Sequence, residues 1–128
     1  MSVQNRPVPE VVLGWIQLYR SDSNDRNREE HWWSFEQMEK WRTSDPEKIW
    51  QAIVAVVEQC DDDRVLANLA AGPMEDLLGD HGSEFIDRIE SMARSNEKLR
   101  SLLLGVWRRD RVSDGLWNRF SDCRGSME

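Results

Sequence analysis

Asp45-Pro46-Glu47-Lys48-Ile49-Trp50-Gln51-Ala52-Ile53-Val54-Ala55-Val56-Val57-Glu58-Gln59-Cys60 is the stretch whose reading decides the fold class. By propensity alone the β-branched run Ile53-Val54-Ala55-Val56-Val57 could be a strand. Three features favour helix instead. Asp45 is a residue type that caps helix N-termini, and Pro46 suits the first helical position, where its missing N–H costs nothing. The segment is also long enough for several turns. Its apolar residues Ile49, Trp50, Ile53, Val54, Val56 and Val57 fall on one broad face at helical spacing, with Glu47, Gln51 and Glu58 on the back. Cys60 lands on the apolar side and reads as a small core hydrophobe.

The same test gives helices on both sides. Upstream, residues 9–20 put Val11, Val12, Trp15, Ile16, Leu18 and Tyr19 in one arc, and Leu13 falls outside it. Residues 21–27, Ser21-Asp22-Ser23-Asn24-Asp25-Arg26-Asn27, hold nothing apolar and read as a flexible loop. A helix over 28–42 follows, with Trp32, Phe35, Met38 and Trp41 recurring every three residues. Downstream, Asp61-Asp62-Asp63 ends one helix and caps the next. Gly72-Pro73 should split the following segment into helices over 63–71 and 73–80, because proline removes a hydrogen bond and restrains the residue before it. Gly79 and Gly82 close the second piece. Helices over 83–95 (Phe85, Ile86, Ile89, Met92, Ala93) and 96–109 (Leu99, Leu102, Leu103, Val106, Trp107) come next. Ser113 then caps a last helix with Leu116, Trp117 and Phe120, and 122–128 reads as a tail.

The expectation is therefore an all-α fold, a compact bundle of six to eight short helices in one domain over 1–128, with its ordered core over 8–121. A 50-residue echo, Glu47-Lys48-Ile49 with Ile53 to Val57 against Glu97-Lys98-Leu99 with Leu103 to Trp107, raises HEAT-like stacked hairpins as a variant.

Composition excludes several classes of function. The 128 residues carry 24 acidic and 17 basic groups, a net charge of −7, which disfavours a sequence-independent grip on nucleic acid. No apolar run approaches the ~18–20 residues of a membrane span, and Met1 to Pro7 lacks a secretory apolar stretch. Cys60 and Cys123 are too few for a disulfide framework, which points to a reducing, cytoplasmic setting. Residues 1–93 hold 9 basic and 19 acidic groups, whereas 94–124 hold 8 basic and 4 acidic. Arg108, Arg109 and Arg111 could form a basic patch, or could simply be solvated helix-end charges.

Catalytic and metal signatures are weak. Asp80-His81-Gly82-Ser83-Glu84 gathers hydrolase residue types, but neighbours in one turn do not point at one another, and there is no Gly-x-Ser-x-Gly elbow. His31 lies on an apolar helix face. Asp61, Asp62, Asp63, Glu75, Asp76 and Asp80 supply the oxygen types of a divalent-ion cage, yet such runs more often cap helices. No metal or cofactor is expected.

Tryptophan is the abnormal count: seven, against one Tyr and three Phe. Six of them, Trp15, Trp32, Trp41, Trp50, Trp107 and Trp117, fall on apolar faces. Trp33 cannot share the direction of Trp32, so one of the pair faces a surface or a second interface. With Glu29, Glu30 and Glu36 beside it, Trp33 is the candidate anchor for a protein partner; the alternative is burial against the first helix or the loop.

These residues also carry a family resemblance. Trp32-Trp33, Asp45-Pro46-Glu47, the run Leu66-Ala67-Asn68-Leu69-Ala70-Ala71-Gly72-Pro73-Met74-Glu75-Asp76-Leu77-Leu78 with His81-Gly82, then Phe85-Ile86-Asp87-Arg88 and Val106-Trp107-Arg108 resemble a bacterial family of small helical proteins, a domain of unknown function. It extends over about residues 30–120 and implies an all-helical fold without an activity. The leading functional expectation is a non-enzymatic protein-binding module: a small acidic inhibitor, immunity-type protein or adaptor for a basic protein partner. The alternatives are a structural subunit of a homo-oligomer or larger assembly, and a small-molecule enzyme with a carboxylate and His81 near Gly72-Pro73.

Overall fold

The computed structural model describes residues 6–124; the N-terminal five residues and the final four of the expected tail lie outside them. The described residues form seven α-helices: α1 (Val8–Tyr19), α2 (Asp25–Ser44), α3 (Pro46–Gln59), α4 (Asp63–Leu69), α5 (Glu75–Ser95), α6 (Glu97–Leu103) and α7 (Asp114–Cys123), with a π-helical turn at Ala70–Met74. Among the described residues no strand occurs and no helix is long and apolar enough to cross a membrane. The all-α expectation holds. Backbone proximity divides the chain into two compact units, one up to Leu69 and one from Ala70 onward.

In the first unit α1 packs on α2, α3 and α4, and α2 packs on α3. Its core is built from Val11, Val12, Trp15 and Leu18 of α1, Met38 and Trp41 of α2, Ile49, Trp50, Ile53, Val56 and Val57 of α3, and Val65 and Leu69 of α4. The deciding stretch is indeed a helix, started by Asp45 and Pro46, although the Asp45 side chain makes no cap bond and instead pairs with Lys48 at 3.8 Å.

Two expectations in this unit are corrected. The loop before α2 is shorter than residues 21–27, because the Asn24 side chain accepts the Asn27 N–H and starts the helix at Asp25. Nor is it a loose connection. The backbone N–H and the hydroxyl of Ser21 both donate to the Asp62 carboxylate at 2.9 Å, and Asp62 also accepts the N–H groups of Arg64 and Val65 at the head of α4. Of the acidic triplet, then, Asp62 is the cap, as its composition suggested, and it ties the α1–α2 connection down as well.

The second correction concerns the face that α2 buries. Ser34, Gln37, Met38 and Trp41 are buried, while Trp32 is exposed and Phe35 half-buried. The cause lies on α1. A Cβ placed on Gly14 would come within 2.9 Å of both Ser34 Cβ and Trp33 Cζ2, so the absent side chain lets the two helices approach closely there. Turning Ser34 inward carries two polar side chains into the interface, and both are satisfied: Ser34 Oγ donates to the His31 carbonyl at 2.8 Å, and Gln37 Oε1 accepts the Arg6 N–H at 3.3 Å.

In the second unit α5 packs on α7, α6 and the π turn. The interruption expected at Gly72-Pro73 is present, but as a π-helical turn between α4 and α5 rather than as a break in the chain of helical bonds. The ladder widens at Ala70–Met74, and this i→i+5 turn accommodates the proline that a regular α-turn would reject. The break expected between Gly79 and Gly82 is present: α5 is two helical pieces joined across a kink at His81, whose backbone (φ −139°, ψ 21°) is not helical. Asn96 and Ser113 cap α6 and α7 by accepting the N–H groups of Leu99 and Leu116.

Helix α6 stops at Leu103, six residues short of expectation. From Leu104 to Val106 the backbone bonds tighten to i→i+3, and Gly105 lets the chain pass 3.2 Å from Ala70 Cβ, measured from a Cβ placed on it. Val106 and Val112 bury on either side of the loop, and Trp107, expected in the core, is 78% exposed. The 50-residue echo consequently stops halfway: its second copy is only partly helical, which removes the stacked-hairpin variant's support. Helix α7 reaches Cys123, two residues past the expected end of the ordered core at 121.

The carboxyls of Asp62 and Glu90 both lie below their ordinary range, Asp62 through the Ser21 N–H first of all, and Glu90 through the Arg119 guanidinium 2.5 Å away. A group whose folded value is depressed contributes fully above its unfolded value and loses that contribution as pH falls through the folded one. Urea midpoints should therefore decline as pH drops below about 4. Asp62→Asn should lower the midpoint at neutral pH and flatten part of that acid-side slope. An unchanged slope would show that Asp62 is not held down by these bonds.

Candidate docking surface

Helix α2 carries the site. With 3.6 residues per turn, Glu29, Phe35, Glu36 and Glu39 lie within about 60° of Trp32, and the buried Ser34, Gln37, Met38 and Trp41 lie on the opposite side. Trp32 is 40% exposed at the centre of this outer face. It does not swing freely, since its ring stacks on Phe35 with centroids 4.4 Å apart and planes 24° from parallel. Asp25, Arg28, Glu29, Glu36 and Glu39 are exposed around it. The result is a fixed aromatic surface with a mainly acidic rim.

The residues expected to act together divide. Glu29 and Glu36 share the face of Trp32. Glu30 points elsewhere and pairs with Arg26 at 3.0 Å. Trp33 is half-buried: its ring meets α1 at Gly14, and the Arg6 guanidinium lies 4.6 Å from its centroid. Of the two readings the sequence allowed for Trp33, this is burial against the first helix, and Trp32 is the surface member of the pair. Sequence periodicity missed Trp32 and Glu39 because it placed the 32/35/38/41 stripe inward. The only signal that could have shown otherwise is the pair of small residues, Gly14 and Ser34, that sets the helix contact.

Arg108, Arg109 and Arg111 do not form a free basic patch. Arg108 donates to the Val112 carbonyl and to Asp114, Arg109 pairs with Asp76 at 2.8 Å and Glu75 at 3.5 Å, and Arg111 lies 3.7 Å from Asp80. Glu75 also accepts the Trp107 backbone N–H at 3.2 Å. Arg109→Ala should thus release the 104–112 loop, seen as faster hydrogen exchange at the Trp107 amide with little change in α1–α3; unaltered exchange there would contradict the clasp.

His81 lines a cleft of about 240 Å³ with Asp80, Ser83, Glu84, Arg111 and Leu116. Its Nδ1 is 3.8 Å from Glu84 Oε1, ion-pair range rather than a hydrogen bond, and Gly72 and Pro73 do not line the cleft. A second hollow, about 360 Å³, is lined by Glu90, Ala93, Arg94, Arg100, Asp122 and Cys123. Burial pushes the Cys123 thiol up, opposite to the shift that activates a nucleophile. Among the described residues no group of three or more His, Cys, Asp or Glu side chains is placed to hold a metal ion.

Neither the curated proteins nor the solved structures contain a match to this chain. Residues 21–127, which include α2 and every element after it, match the family of unknown function DUF6869, and the chain belongs to that family.

Proposed function

We propose that this chain is a non-enzymatic protein-binding module, of the small acidic inhibitor, immunity-type or adaptor kind, and that the outer face of α2 receives a basic protein. One observation carries the reading: Trp32, 40% exposed on the side of α2 opposite the buried face, is held in place by its stack on Phe35. A large apolar ring kept partly in water by the fold and stacked on a neighbouring ring suits an interface anchor, because the stack reduces the side-chain freedom left to lose on binding. The rim supports the sign of the partner. Glu29 and Glu36, with Glu39 more loosely held 3.9 Å from Arg42, on a chain of net charge −7, would speed encounter with a cationic surface. Trp33 supports the site from beneath by holding α2 on α1. A reducing, cytoplasmic setting suits a chain with two free cysteines.

The enzyme reading draws only on the cleft at His81. At about 240 Å³ it is smaller than the roughly 300–1,000 Å³ of typical ligand sites, and its Arg111 and Asp80 side chains are turned toward one another at 3.7 Å.

The test is affinity capture from source-cell lysate with immobilised wild type, Trp32→Ala and the Glu29→Lys/Glu36→Lys pair, bound proteins being identified by mass spectrometry. A basic protein held in stoichiometric amount by wild type and lost from both variants is the expected result. Equal retention by all three, or none by wild type, overturns the reading.

A further inference from the structure

Phe35 covers one face of the Trp32 ring and leaves the other open. At about 100° per residue, Phe35 stands roughly 60° to one side of Trp32 on α2, whereas Glu36 and Glu29 stand about 40° and 60° to the other. The open face of the indole is therefore turned toward the two glutamates, which come from the turns after and before it. Both are exposed, and neither carboxylate has a partner among the described residues. Within about 60° of Trp32 the helix carries Asp25, Glu29, Glu36 and Glu39 against Arg28, so this face is anionic in sum. Arg28 lies on the Phe35 side, away from the open face.

Elsewhere the chain covers tryptophan rings with its own guanidiniums. The half-buried Trp33 has Arg6 at 4.6 Å from its centroid, and the half-buried Trp117 has Arg124 at 5.0 Å. Trp32 is more exposed than either and, among the described residues, has no cation over its ring. We infer that the outer face of α2 binds an arginine side chain of its partner, the guanidinium flat on the open face of Trp32 and its N–H groups donated to Glu29 and Glu36. The inference rests on the reading of α2 as a docking surface and names the group that surface takes. A guanidinium is planar: stacked on an indole, it points its N–H groups outward in its own plane, where carboxylates at the ring's edge accept them. An ammonium is compact and strongly hydrated, and has no flat face to stack. Trp107, 78% exposed, lacks this setting, because the Glu75 carboxylate at its backbone N–H is already taken by Arg109.

The test is a nuclear magnetic resonance titration of the full chain at low salt with acetylated penta-arginine amide and penta-lysine amide, which are equal in charge. The Trp32 indole N–H, assigned by its absence from Trp32→Leu, reads binding, and the amide spectrum shows that each variant is folded. Wild type should give a saturable shift centred on Trp32, with penta-arginine bound about two- to fivefold more tightly, the scale of one cation–π contact at an exposed site. Followed at the α2 amides, that preference should vanish in Trp32→Leu, and Glu29→Gln/Glu36→Gln should weaken penta-arginine more than penta-lysine. Trp107→Ala should behave as wild type. Equal affinities in wild type, a preference that survives Trp32→Leu, equal weakening of both peptides by the glutamate pair, shifts centred on Trp107, or no saturable shift at all overturns the inference. Its failure is distinguishable from failure of the docking-surface reading. A basic protein captured through Trp32 by a chain without arginine preference refutes the arginine alone; an arginine preference at Trp32 in a chain that captures no protein refutes the binding-module reading alone.

Discussion

Gly14→Ala is expected to destabilise the protein by about 1–3 kcal/mol, the usual cost of overpacking a tight contact. Helix propensity argues the other way, since alanine in a helix interior is favoured over glycine by up to ~1 kcal/mol. The geometry decides the sign. The new methyl would stand 2.9 Å from Ser34 Cβ and from the Trp33 ring, and neither is the far end of a flexible chain that can move aside. Relief requires α1 and α2 to separate, which would uncover Ser34 and Gln37 and loosen the core below them. Gly115→Ala is the internal control. Nothing lies within 4 Å of a Cβ there and the glycine has no positive φ, so this change should be neutral or stabilising by roughly 0.4–1 kcal/mol. Chemical denaturation of both variants checks the pair. A Gly14→Ala protein as stable as wild type would mean that the close approach does not set the face of α2.

Trp32→Ala should weaken the captured partner by at least ~2 kcal/mol, about thirtyfold in Kd, with little effect on unfolding. Trp33→Ala should show the reverse weighting. It removes the ring wedged at Gly14 and the stack under Arg6, so roughly 1–3 kcal/mol of stability is lost. Binding is then affected only insofar as α2 shifts. Calorimetric titration of the purified partner, beside denaturation curves for the two variants, separates these outcomes. Adjacent tryptophans with opposite signatures would be hard to obtain unless one is an anchor and the other a support.

What the sequence made legible was local. Helix α3 was readable because its cap type, its proline and its apolar spacing agree within sixteen residues. Ser113 as a cap, Asp61-Asp62-Asp63 as a helix start, and Leu13 as the apolar residue off the α1 arc follow from equally short-range chemistry, and Leu13 is indeed exposed. The misreadings share a different origin. Which tryptophan of the 32–33 pair faces water depends on how closely α1 and α2 approach at Gly14, a contact spanning twenty residues. Trp107 fell on an apolar stripe in sequence, but Glu75, thirty-two residues away, takes its N–H and holds it outside the helix. Pro73 does mark an interruption, as read, but that it takes the form of a widened turn has no signature in residue type. The acidic rim was half legible: Glu29 and Glu36 were found, Glu30 is committed to Arg26, and Glu39 became visible only once the outward side of α2 was known.

Oxidative footprinting of the tryptophans, with and without the captured partner, tests the central claim most directly. If the outer face of α2 is the docking surface, the oxidation rate of Trp32 should fall severalfold in the complex, while that of Trp107 stays as it is in the free chain. An unchanged Trp32 rate in a saturated complex would contradict the account, whatever the mutants show.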